Sequence, residues 1–123
     1  MRPLHVLVVE QHDGLRAALR DWLRATFPPL EPQEARSMEE ALARAQEGEL
    51  DLVLVNMELP GINGLEATRT LRSRYPHCRV VVMSVNDSAA LRGAAFEAGA
   101  AFVSKRELPE ALGPLLRRPS PTL

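Results

Sequence analysis

Asp51-Leu52-Val53-Leu54-Val55-Asn56, followed at once by Met57-Glu58-Leu59-Pro60-Gly61-Ile62-Asn63-Gly64, is the stretch on which the fold turns. A strand with one wet face would alternate polar and apolar residues. Leu52 to Val55 does not alternate, so it reads as a strand covered on both faces. Asn56 ends the apolar run, and Pro60, Gly61, Asn63 and Gly64 crowd the next residues into a turn-rich loop. A helix of about a dozen residues follows and stops before Pro76, because the residue preceding a proline disfavours the helical region.

The same strand-then-helix unit recurs on both sides. Upstream, Leu4 to Val9 is a valine-rich run with His5 inside it. Leu15, Ala18, Leu19, Trp22 and Leu23 then follow helical spacing. Pro28, Pro29 and Pro32 break the chain, and the polar stretch Gln33 to Arg36 is a weak strand that belongs at a sheet edge. Ser37 with Glu40 forms a capping box. Met38, Ala41, Leu42 and Ala45 make the inner stripe of the helix it opens, which Gly48 is suited to end. Downstream, Val80 to Met83 is a fourth strand. Ser88 suits the N-cap of a helix whose Leu91, Ala94, Ala95 and Ala98 face inward and which Gly99 closes. Ala101 to Val103 is a short fifth strand. Leu108, Ala111, Leu112, Leu115 and Leu116 space as a last helix, with Pro109 in its first turn and Pro114 expected to kink or end it near Gly113. Five strands alternating with five helices predict an α/β fold, a (βα)5 doubly wound, five-stranded parallel sheet with helices on both faces. Residues 1–118 read as one domain and 119–123 as a tail or the start of a linker.

Composition narrows the function. The 123 residues carry 46% hydrophobic and 25% charged residues, an ordinary globular balance. Fifteen basic and sixteen acidic residues leave a net charge of −1, so no strong field favours nucleic acid or an anionic membrane. Cys78 is the single cysteine, which excludes an internal disulfide and a multi-cysteine metal site. Val6 to Val9 is far too short to span a bilayer, and no export signal opens the chain. The expectation is a soluble, cytoplasmic domain.

In a parallel sheet of this kind, functional groups gather at the carboxyl ends of the strands. Those ends carry Glu10, Gln11, His12 and Asp13 after strand one, Asn56 after strand three, Ser84 after strand four, and Ser104 and Lys105 after strand five. Taken with the Leu-Pro-Gly-Ile-Asn-Gly loop and Gly99-Ala100-Ala101-Phe102-Val103-Ser104-Lys105, they make residues 4–116 resemble the receiver domain of two-component response regulators. His12 and Gly64-Leu65-Glu66-Ala67 are similar to the subgroup that precedes a helix-turn-helix domain. The resemblance implies strand order 2-1-3-4-5. It also implies a chemistry in which an aspartate after strand three takes a phosphoryl group from a histidine kinase, on a magnesium ion held with two acidic residues after strand one. A hydroxyl (here Ser84) and a lysine (here Lys105) bind the phosphoryl oxygens, and an aromatic residue (here Phe102) reports the change.

The departures from that pattern are informative. Asn56 stands at the phosphoacceptor position, and an amide cannot give a stable acyl phosphate. The acidic pair is Glu10-Gln11, so the three acidic positions carry a formal −1 instead of −3. Magnesium takes hard, mostly anionic oxygen ligands, so Glu10, Gln11 and Asn56 form a degenerate site at which magnesium binding is expected to be weak or absent. No other cofactor is expected. A change introduced to silence the site would need only Asn56; Gln11 is a second, independent loss. Lys105 is the one lysine among fifteen basic residues, which fits a compact ammonium that a guanidinium replaces badly, with Glu10 as its expected carboxylate neighbour.

Other residues read more simply. His12 suits a cap or the surface, His5 a satisfied core position, His77 a loop, Cys78 an inert small hydrophobe and Trp22 the core. Arg69, Arg72, Arg74 and Arg79 read as a solvated face. The resulting expectation is a pseudo-receiver, not an enzyme, acting by protein–protein contact in transcriptional control. Contact would come through the face of helix four, strand five and helix five, or through helices one and five in a homodimer. A histidine kinase is a further candidate partner; direct binding of nucleic acid by these residues is not expected. Phe102 is expected to hold one dominant rotamer. Three alternatives remain open: an acceptor elsewhere, such as Ser84 or Asp13; a receiver silenced by an introduced Asp-to-Asn change at position 56; and a small-ligand or flavin protein on the same fold.

Overall fold

The computed structural model describes residues 4–28 and 30–117. Strands β1 (His5–Val9), β2 (Glu31–Ala35), β3 (Leu52–Asn56), β4 (Arg79–Ser84) and β5 (Ala101–Ser104) alternate with helices α1 (Asp13–Thr26), α2 (Met38–Ala45), α3 (Gly64–Arg74), α4 (Ala89–Ala98) and α5 (Leu112–Arg117). All strand pairs are parallel, in order β2-β1-β3-β4-β5. This is the predicted doubly wound sheet.

Alternate residues of each central strand feed opposite cores, as the pleat requires. Leu7, Val9, Val53, Val55, Val80 and Val82 pack against Met38 and Ala41 of α2, Ala67 and Leu71 of α3, and Ala95 of α4. Val6, Val8, Leu52, Leu54, Val81 and Met83 pack against Leu19 and Leu23 of α1 and Leu112 of α5. Burial on both faces is why these strands show no polar alternation. Ser37, Asn63 and Ser88 cap α2, α3 and α4 through their side-chain oxygens.

Three expectations need correction. Pro32 does not break the chain; it lies inside β2, paired with Val6. Among the described residues β2 pairs only with β1, so a residue without an N–H is tolerated on its open side. Ala18 is exposed instead of lining the core, because Leu15, Leu19, Trp22 and Leu23 already cover that side of α1. The last helix does not begin at Leu108. Lys105–Glu107 form a single 3-10 turn, further turns cover 108–111, and α5 starts at Leu112. Pro114 is therefore its third residue, in a first turn that needs no donor from it, and opens the helix where a kink was expected. The tail predicted from residue 119 lies outside the described residues.

Candidate functional site

Parallel strands running the same way bring their last residues to one rim. Asn56, Ser84 and Ser104 each end a strand, with Glu10 one residue beyond β1 and Lys105 one residue beyond β5. Glu10 is fixed by its N–H, which donates to the Ala35 carbonyl at 3.0 Å. The Ser104 hydroxyl accepts from Arg106 N–H at 3.2 Å and so shapes the turn that carries Lys105. Gly64 is required below the loop: a Cβ there would lie 2.8 Å from Met57 Cα and 3.1 Å from the Asn56 carbonyl oxygen. The second glycine of the Pro-Gly-Ile-Asn-Gly turn thus lets α3 start directly against the backbone of the site.

The side chains at the rim bond to one another in a chain. Lys105 Nζ donates to Glu10 Oε1 at 2.6 Å, and the carboxylate is only 1% exposed. Glu10 Oε2 accepts from His12 N–H at 3.0 Å and, more weakly, from Asn56 Nδ2 at 3.5 Å. Asn56 Nδ2 also donates to Gln11 Oε1 at 2.7 Å. Gln11 Nε2 then donates to the Glu58 carbonyl at 3.1 Å, and Glu58 N–H donates to Asn56 Oδ1 at 3.3 Å. Ser84 Oγ donates to Glu58 Oε2 at 2.8 Å and accepts from Asn86 N–H at 3.0 Å. Among the described residues, no buried side-chain nitrogen or oxygen lacks a partner.

This donor set fits a magnesium ion badly. The one carboxylate among the three acid-equivalent positions already faces an ammonium, and the Asn56 amide nitrogen, a donor, stands between Glu10 and Gln11. Both amide oxygens are accepting from neighbours. Among the described residues, no group of three or more His, Cys, Asp or Glu is placed to hold a metal ion.

The other sequence candidates fall around this centre. His12 is the N-cap of α1, its Nδ1 accepting from Leu15 N–H at 3.0 Å. Asp13 faces Arg16 at 2.7 Å and Arg36 at 3.4 Å; the Arg16 hydrogen bond holds its carboxyl below the usual value. Phe102 is half-buried against the core under α2, α3 and α4, with the Arg92 guanidinium 4.9 Å over its ring. Arg92 is held by both carboxylate oxygens of Asp87, at 2.6 and 2.9 Å. Trp22 packs edge-to-face on Phe27 within the α1–α5 core. Arg72 is not simply solvated: it donates to the carbonyls of Pro76 and Cys78 at 3.0 and 2.8 Å. Arg79 likewise donates to the Leu115 carbonyl.

Two residues escaped the sequence reading. Glu58 stands two positions after Asn56, yet its N–H, carbonyl and carboxylate each bond to a different site residue. A lone acid flanked by Met57 and Leu59 was the only signal. Arg16 is 8% exposed and donates to the Glu10 carbonyl at 2.9 Å and to Glu34 Oε1 at 3.0 Å. Its position on a polar helix turn looks like any surface arginine.

Residues 6–116 match the response regulator receiver domain family. The chain belongs to that family. The receiver is 40% identical over 114 residues to the transcriptional activator protein ExaE of Pseudomonas putida, covering 92% of this chain and 53% of that one. It is 32% identical over 108 residues to the response regulator UvrY of Escherichia coli K12, covering 87% of this chain and 50% of that one. The chain thus spans about half the length of these curated relatives. Its fold matches a receiver domain protein from Methanospirillum hungatei JF-1 with a TM-score of 0.83 at 21% identity, covering 94% of this chain and 91% of that one. Among the described residues, no helix is long and apolar enough to cross a membrane.

Proposed function

We propose that this receiver works without phosphate, as a protein-contact module in two-component transcriptional control. The observation that carries the reading is the closed network at the rim. Lys105 neutralises Glu10, Asn56 donates to Gln11 while the Glu58 backbone takes the remaining groups of both amides, and Ser84 is engaged by the Glu58 carboxylate. Phosphoryl transfer is catalysed chiefly by positioned positive charge, with metal ions prominent. With one carboxylate among the three acid-equivalent positions, already paired with Lys105, the rim offers neither a carboxylate nucleophile at position 56 nor a strong cation site. Signalling then rests on which surface binds a partner, and a partner shifts the conformation only by its differential affinity. The surface offered for contact is α4 with β5 and α5, where Phe96 is 80% exposed and Val85 is 54% exposed; α1 with α5 is the alternative for a homodimer. A histidine kinase docking here would do so without phosphoryl transfer. Relatedness to a transcriptional activator supports the regulatory role.

The test is mass spectrometry after incubation with a small phosphodonor and millimolar magnesium. Wild type is expected to gain nothing. Asn56→Asp alone should gain little, because the second strand-one carboxylate is still missing. Asn56→Asp with Gln11→Asp rebuilds the acid cluster and should acquire one base-labile phosphate, with the two changes strongly non-additive. Labelling of the unmodified protein at any residue, Ser84 and Asp13 included, overturns the proposal.

A further inference from the structure

Ser84 occupies the position whose hydroxyl, in receivers this one resembles, binds phosphoryl oxygens, yet here the hydroxyl already has an anionic acceptor. Glu58 Oε2 receives it at 2.8 Å. Glu58 is exposed, so nothing about burial forces this contact. Instead the residue is tied down at its N–H by Asn56 and at its carbonyl by Gln11, the two amides that replace acids in this chain. Those bonds aim the carboxylate at Ser84. A hydrogen bond from a neutral hydroxyl to an ionised carboxylate is stronger than one between neutral groups, and a carboxylate presents the same kind of hard anionic oxygen as a phosphoryl group.

We propose that the Glu58 carboxylate is an internal stand-in for the phosphoryl group, holding Ser84 and, through it, the loop that leads to Phe102. The inference rests on the phosphate-independent reading above and supplies its missing anion. The path is continuous. Ser84 Oγ accepts from Asn86 N–H at 3.0 Å, which pins the start of the β4–α4 loop. The next residue, Asp87, grips Arg92 through both oxygens, and Arg92 covers the Phe102 ring. With Glu58 in place, Ser84 has a fixed acceptor and Phe102 stays under its guanidinium lid. Without it, the hydroxyl is free to rotate, the Asn86 anchor loosens, and the lid and ring gain a second arrangement.

The experiment is NMR on the intact 123-residue chain with ring-13C phenylalanine, in phosphate-free buffer, alongside amide exchange at Asn86. The chain has three phenylalanines, so Phe102 is readily assigned. Glu58→Ala and Ser84→Ala should move the Phe102 ring signal in the same direction, and the double variant should move it no further. Asn86 amide exchange should quicken on the order of tenfold, because its hydroxyl acceptor loses the carboxylate that orients it. Glu58→Gln keeps an acceptor without the charge and should fall between wild type and Glu58→Ala. An unchanged Phe102 signal and Asn86 exchange rate in Glu58→Ala overturns the proposal, as does a Glu58→Gln variant indistinguishable from Glu58→Ala. No phosphodonor is present, so these outcomes are separate from the labelling result that decides the phosphate-independent reading.

Discussion

Removing Lys105 should hurt this receiver more than removing its partner, and the reason is burial. Glu10 is 1% exposed and Lys105 is 15% exposed. In Lys105→Met the carboxylate stays buried with only His12 N–H at 3.0 Å and a weak Asn56 contact at 3.5 Å. Leaving one buried charge without its partner costs about 3–5 kcal/mol. In Glu10→Gln the ammonium is the group left over, and its flexible stem can turn it to water. That variant should lose about 1–2 kcal/mol, the net worth of a charge-linked hydrogen bond. The double variant removes both charges and should cost less than Lys105→Met alone. Equilibrium urea unfolding reads all three: with a slope of about 1.5 kcal/mol per molar, a 3 kcal/mol loss moves the midpoint by about 2 M. Equal costs for the two single variants, or costs that simply add in the double variant, would show that Glu10 does not depend on Lys105 in the folded protein.

Three further outcomes follow from the geometry. Gly64→Ala forces a Cβ to within 2.8 Å of backbone at Met57, so it should destabilise the fold by about 1–3 kcal/mol, as overpacking does, and shift the backbone amide signals of Asn56 and Met57. Burial opposes ionisation at Glu34, but its hydrogen bonds to Arg20 and Arg16 outweigh it and hold the carboxyl below 4.5. A lowered folded value means stability that is present above about pH 4.5 and is lost as pH falls through the folded value; Glu34→Gln should therefore be less stable than wild type by roughly 1 kcal/mol at pH 7, and the two urea midpoints should converge as pH falls below 4.5. Burial pushes the Cys78 thiol up to about 12, so at pH 8 a disulfide-exchange reagent should label it only as fast as the protein unfolds, a rate measurable against urea.

Part of the site is legible in the amino-acid sequence. Strand ends in a parallel sheet must share a rim, so the register of apolar runs placed Glu10, Asn56, Ser84 and Lys105 together, and the resemblance to receivers supplied the role expected at each position. Glu58 was not readable in this way. Its role depends on a loop bringing a carboxylate back toward Ser84, twenty-six positions away in the chain, and no periodicity encodes a contact between a loop and the end of another strand. Arg16 escaped for a related cause: its burial comes from Glu34 on the neighbouring edge strand, which sequence spacing within α1 does not report.

The order and type of the elements were legible along the chain, because each follows from local causes. Unbroken valine and leucine runs need two covering faces, helical stripes need one, and Ser37, Asn63 and Ser88 supply oxygens to the first free amides of their helices. Elsewhere a distant neighbour changes the cost of a local choice, and the outcome waits on the folded sheet. Pro32 is harmless because, among the described residues, no strand pairs with the open side of β2. Pro114 opens α5 because the chain first spends 105–111 in turns that carry Leu112 to the core beneath α1. The hydrogen bonds of Glu58 belong to the same class: a carboxylate's partner is set by what three separate strand ends place within reach of it, and that distance exists only once the sheet has formed.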